Sequence, residues 1–125
     1  MSAGSERPEL SSRGQSLSTE DWHLWWEEAG GWQLRQLLFW RWDPIRVSDD
    51  FPFTHGEYDR YAGHLEKLLA DGAGPPELSA YLLEVEKNEM GLTRLEEPSK
   101  EHKEVADLIL HWYGNSLAHW RLQIR

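Results

Sequence analysis

The chain has 125 residues, 28% of them charged and 39% hydrophobic, the proportions of one soluble globular domain. Its net charge of −9 sets it against phosphate backbones, which argues against nucleic acid and favours a basic protein partner. Cysteine is absent, which excludes disulfides, thiolate catalysis and Cys-ligated zinc, and no apolar run approaches the roughly 20 residues of a membrane span, so a cytosolic protein is expected.

Residues 1–17 are rich in Ser, Gly, Glu and Arg, show no apolar periodicity and lack the basic start and apolar stretch of a signal peptide. They are expected to form a disordered tail ahead of a single helical domain over residues 18–125. The first helix is predicted to begin at Ser18, whose side chain can cap free amides, with Glu20 and Asp21 placing negative charge in the first turn. Trp22, Trp25 and Trp26 recur at helical spacing. The pair Gly30-Gly31 predicts an end or break. A second helical piece then carries Leu34, Leu37, Leu38 and Trp42 on one face, widened by Phe39 and Trp40. Pro44 stops it, because a proline pushes the preceding residue out of helical geometry.

Val47 to Phe53 reads as an irregular loop containing Asp49, Asp50 and Pro52. The string Thr54-His55-Gly56-Glu57 fits a capping box, with Thr54 as N-cap and Glu57 reaching back. Tyr58, Tyr61, Ala62, Leu65, Leu68 and Leu69 then follow the helical period as a core stripe, and Gly72 suits a left-handed cap. Pro75-Pro76 opens a further helix with Leu78, Tyr81, Leu82 and Val85 inward, and Gly91 is its expected C-cap. A last helix starts near Ser99, carries Val105, Leu108, Ile109 and Trp112, and is expected to kink or end at Gly114-Asn115. No segment alternates with period two. The fold class predicted is all-α, a compact bundle of four to five short helices.

Nothing in the chain spells out a chemistry. The six histidines form no HExxH pair, and no GxSxG elbow or Gly-rich phosphate loop is present. No metal or cofactor is therefore expected. Asp43, Glu57 and Asp59, with His55, are the candidate residues for an acidic pocket suited to a hard cation or acid–base work, and this gives a small metal-dependent or acid–base enzyme as one alternative. Against it, Asp before Pro is a common helix-exit device, and Glu57 is spoken for by the capping box.

Eight tryptophans are many for this length, and six lie between Trp22 and Trp42. The same spacing serves a small core or a partner-binding hot spot, because indoles bury large area at low entropic cost. Trp26, Trp32 and Trp40 fall off the apolar stripes and are the expected exposed members. Residues 43–98 contain 13 acidic and 5 basic side chains, so the acidity is concentrated there.

Three strings at the helix joints carry a resemblance. Trp42-Asp43-Pro44-Ile45, then Glu57-Tyr58-Asp59 with Tyr61-Ala62 and Leu68-Leu69, then Glu89-Met90-Gly91-Leu92, together resemble a small uncharacterised bacterial family of helical domains. Its members read roughly Trp-Asp-Pro-Ile-Gly, acidic-Glu-Tyr-Asp and Met-Gly-Leu. This chain departs from that pattern at Arg46, where the family has Gly. If that glycine serves a left-handed turn, Arg46 costs backbone strain. The resemblance implies an all-helical fold and no established activity. By size and charge alone such proteins resemble the immunity proteins that inhibit bacterial toxins.

The leading expectation is a non-enzymatic interaction domain that binds a basic protein, with Trp26, Trp32, Trp40, Asp49, Asp50, Glu57 and Asp59 at the interface. Self-association through the Trp-rich first helices is the remaining alternative, and the oligomeric state is left open.

Overall fold

The structure, a computed structural model, describes residues 17–123. The tail expected over residues 1–17 lies outside the described residues except for Leu17, which is buried in the core. Helix α1 is built from Thr19–Trp25, a π-helical turn at Trp26–Gly30, an α-helical stretch at Gly31–Leu37 and a second π turn at Leu38–Trp42. A short 3-10 turn, Val47–Asp50, lies in the connection to α2, Asp59–Ala70. Helix α3 covers Pro75–Glu84 and ends in a third π turn, Val85–Glu89, and α4 is Lys100–Gln123. Four helices and no strand are present among the described residues, so the all-α bundle expected from the sequence is what forms. No helix among them is long and apolar enough to cross a membrane.

Several joints follow the sequence signals. Ser18 Oγ accepts the Asp21 N–H at 3.0 Å and starts α1 as expected. Gly72 and Gly91 sit at φ 83° and 66°, the left-handed conformation that closes α2 and α3. Pro75 opens α3, and Glu77 reaches back to accept the Gly74 N–H at 2.9 Å.

Three joints differ. Gly30-Gly31 does not break the first helix. Both glycines keep right-handed helical angles, φ −62°, and the Gly31 N–H reaches the Trp26 carbonyl across the π turn. A Cβ on Gly30 would stand 2.5 Å from Cζ2 of Trp25, so Gly30 makes room for an indole instead of turning the chain. The π turn also re-phases the helix. Trp25 and Leu34 lie roughly two and a half α-helical turns apart, which would set them on opposite faces of an unbroken α-helix. The extra residue in the wider turn helps both reach zero exposure.

The capping box at Thr54–Glu57 does not form. The segment is a run of tight turns, α2 begins only at Asp59, and Glu57 is exposed. The Thr54 hydroxyl donates to the Val47 carbonyl instead, while Tyr58 is drawn into the core. At the far end, Gly114-Asn115 neither kinks nor ends α4, which runs on to Gln123 with Gly114 buried.

The core gathers residues from every helix. Trp25, Leu34 and Leu38 of α1, Leu65 of α2, Leu78 and Leu82 of α3, and Ile109 and Leu117 of α4 are fully buried. Burial of this kind stabilises each side chain by about 1.5–3 kcal/mol and holds together helices too short to persist alone. The α3–α4 pair makes the broadest helix-to-helix packing, and α1 packs on α2 through Gly31–Leu37.

Candidate functional site

The connection between α1 and α2 is held by one carboxylate and one phenol. The Asp43 N–H closes the second π turn on the Leu38 carbonyl at 3.0 Å, and Asp43 then takes φ 38°. Pro44 bars any continuation of the helix. Asp43 Oδ1 accepts the Val47 N–H at 2.9 Å and the Tyr58 hydroxyl at 2.8 Å. Tyr58 Oη in turn accepts the Ile45 N–H at 3.2 Å. Tyr58 is 1% exposed, and burial, reinforced by the Asp43 carboxylate, holds its phenol protonated well above the usual tyrosine range. Arg46 adopts φ 59°, a left-handed conformation at the position where strain was expected for a non-glycine residue.

This anchor presents the rest of the loop. The Val47–Asp50 turn packs on the end of α1 and brings Phe51 against Trp40, ring centroids 5.2 Å apart, and against Phe39 at 5.9 Å. Phe39 belongs to the core, whereas Trp40 and Phe51 are half exposed and Phe53 is 91% exposed. Asp49 and Asp50 stand exposed on the same turn. Asp49 lies 3.8 Å from Arg46 and Asp59 lies 3.9 Å from Arg35, both as surface pairs worth little in water. Among the described residues Asp50 and Glu57 form no ion pair.

The structure therefore brings together Trp40, Asp49 and Asp50 from the expected interface, with Glu57 and Asp59 further along the same connection. Trp32 is 60% exposed, without a ring partner among the described residues. Trp26 departs from expectation. It is partly buried, stacked on Trp22 with ring planes 2° apart and centroids 5.9 Å apart. Phe51 and Phe53 were missed by the sequence reading. Two phenylalanines flanking a proline in an acidic interhelical loop were the available signal.

The acidic pocket does not assemble. Asp43 turns into its own loop, His55 Nδ1 lies 2.9 Å from the Pro52 carbonyl, and Glu57 faces solvent. No group of three or more His, Asp or Glu side chains among the described residues is placed to hold a metal ion.

A second polar cluster, unforeseen, joins three helix ends. Trp42 Nε1–H donates to Glu86 Oε2 at 2.7 Å, and Glu86 Oε1 lies 2.8 Å from His102 Nε2. The Ser99 N–H donates to His102 Nδ1 at 2.9 Å, and the His102 N–H donates back to Ser99 Oγ at 3.3 Å. Because Nδ1 accepts, the ring proton sits on Nε2 and points at Glu86. Ser99 and His102 thus close the start of α4 reciprocally, histidine replacing the usual Glu of a capping box.

No family model matches the chain, and no curated protein or solved structure is significantly similar to it.

Proposed function

We propose that the chain is a non-enzymatic interaction domain that binds a basic protein through the α1–α2 connection. Trp40, Phe51 and Phe53 supply the apolar centre, and Asp49, Asp50, Glu57 and Asp59 supply the charge around it. The observation that carries this reading is the Trp40–Phe51 pair, 5.2 Å apart and half exposed, on a loop anchored rigidly from beneath by Asp43 and Tyr58. Exposed aromatics held in place pay little entropy on binding, and surrounding acids steer a cationic partner. An inhibitor that occludes a basic target, in the manner of immunity proteins, is the concrete form of the proposal. The cysteine-free composition fits a cytosolic setting. Arg46 at φ 59° fits a loop shaped like that of the small helical family with Gly at this place.

The test is capture of binding proteins from native lysate at low and moderate salt, with the wild-type chain, Trp40→Ala/Phe51→Ser and Asp49→Asn/Asp50→Asn side by side. A stoichiometric basic partner is expected. The aromatic variant should weaken it by at least about 30-fold, the cost of losing a hot spot, and the charge variant should slow association and flatten the salt dependence. A partner retained equally by both variants overturns the proposal. So does the absence of any partner together with a concentration-dependent dimer that the aromatic variant abolishes, which would assign this face to a second copy of the chain.

A further inference from the structure

Helix α1 carries an exposed apolar ridge. Leu24, Trp32 and Trp40 are 46%, 60% and 49% exposed and follow one another at intervals of eight residues. In an unbroken α-helix eight residues turn the chain about 80° past two full turns, which would scatter the three around the helix. The π turn at Trp26–Gly30 takes up one extra residue. The step from Leu24 to Trp32 therefore equals seven α-helical residues and falls about 20° short of two turns. Leu24 and Trp32 share one line, and Trp40, inside the second π turn, extends the same exposed side. Glu28 stands exposed between the first two.

The charges of α1 are divided about the same centre. Glu20, Asp21, Glu27 and Glu28 precede Trp32, whereas Arg35 and Arg41 follow it. Glu27, Glu28 and Arg41 are exposed and form no ion pair among the described residues. Arg35 meets Asp59 at 3.9 Å, a surface pair.

A ridge with this symmetry complements itself. Two copies turned antiparallel about a two-fold axis at Trp32 set Trp32 on Trp32 and Leu24 on Trp40, and each contact is made twice. The same turn lays the acidic half of each helix on the basic half of the other. A parallel pair would stack acid on acid and base on base. A uniformly basic partner would meet Arg35 and Arg41, and a uniformly acidic one would meet Glu27 and Glu28. We propose that the exposed side of α1 is a homodimer seam, with a second copy of the chain packed antiparallel across Leu24, Trp32 and Trp40. The seam does not rest on the role of the α1–α2 loop. It shares only Trp40 with that face.

Sedimentation equilibrium of the intact chain reads the association. It is run at about 0.15 M salt, where a Debye length of about 8 Å screens the overall charge of −9 per copy. A monomer–dimer equilibrium with a Kd of about 10–100 μM is expected. Trp32→Ala, at an exposed position without a ring partner among the described residues, should keep the helical circular dichroism. It should weaken the dimer at least about 30-fold, because each dimer loses two indoles at its centre. Glu27→Lys/Glu28→Lys and Arg35→Glu/Arg41→Glu should each weaken the dimer about tenfold, and an equimolar mixture of the two should form a heterodimer. Phe51→Ser, on the α1–α2 loop and off the ridge, should change the Kd by less than about threefold. A chain still monomeric at about 500 μM overturns the proposal. So does a dimer that survives Trp32→Ala, or a mixture of the charge variants that stays monomeric. A dimer lost with Phe51→Ser alone overturns it as well and moves the seam to the loop. Failure of the loop reading shows instead in the capture of partners, which Trp32→Ala leaves unchanged.

Discussion

Removing the Tyr58 hydroxyl tests whether the α1–α2 connection is anchored as described. In Tyr58→Phe the ring keeps its place in the core, and only the bonds to Asp43 Oδ1 at 2.8 Å and from Ile45 N–H at 3.2 Å disappear. A hydrogen bond to a charged group contributes about 1.5–3 kcal/mol. Asp43 is 9% exposed, so water replaces the lost donor poorly, whereas Ile45 is 39% exposed and its amide can be rehydrated. A net loss of about 2 kcal/mol follows. In urea, with a slope of about 1–3 kcal/mol per M, the unfolding midpoint should fall by about 1 M with the slope unchanged. The same substitution made in Asp43→Asn, which tolerates the left-handed backbone, should cost less by about 1 kcal/mol, the signature of direct coupling. A midpoint shift below roughly 0.2 M, or identical costs in both backgrounds, would refute the anchor.

Other outcomes follow from the same geometry. Gly30→Ala should destabilise by about 1–3 kcal/mol, because its Cβ would meet Trp25 at 2.5 Å, although alanine is the better helix former. Gly63→Ala on the exposed side of α2, with nothing within 4 Å of the new Cβ, should stabilise by about 0.5–1 kcal/mol. Thermal unfolding that moves both midpoints the same way would contradict the packing role of Gly30. Burial pushes the Tyr81 phenol up to about 12, and burial raises Tyr58 and Tyr113 as well. Folded pKa values above the unfolded value of about 10 give stability that is complete below pH 10 and is lost as pH rises through the folded values. Tyrosinate absorbance should therefore lag behind free tyrosine and then rise together with loss of helical circular dichroism. Normal titration of Tyr58, Tyr81 and Tyr113 in an intact helical fold would be the contrary result.

Where the sequence spoke through local chemistry, it spoke correctly. Ser18, Pro75, Gly72 and Gly91 each act through their own backbone or the next few residues, and no distant contact is needed to read them. The failures share a cause. Gly30 looks like a breaker until the Trp25 ring beside it is known, and Thr54–Glu57 has the string of a capping box until Tyr58 is committed to Asp43. Tertiary contacts overrode propensity at both places. For the candidate interface, exposure of Trp32 and Trp40 followed from helical phase, but Trp26 is partly buried because it stands four residues after Trp22, on the same face of regular α-helix, and stacks on that ring. Phe51 and Phe53 carried no periodicity to read. Glu86 and His102 lie on different helices, so nothing short of the folded chain announces their pairing.

The bond chain from Trp42 through Glu86 to His102 and Ser99 also bears on how the molecule breathes. Helix ends ordinarily fray one at a time, each exposing its amides at little cost. Here the end of α1, the end of α3 and the start of α4 share one partly buried carboxylate, so opening any of them strands polar atoms belonging to the other two. The three termini should accordingly open as one cooperative unit, with their amides expected to exchange hydrogen with solvent as a group rather than independently.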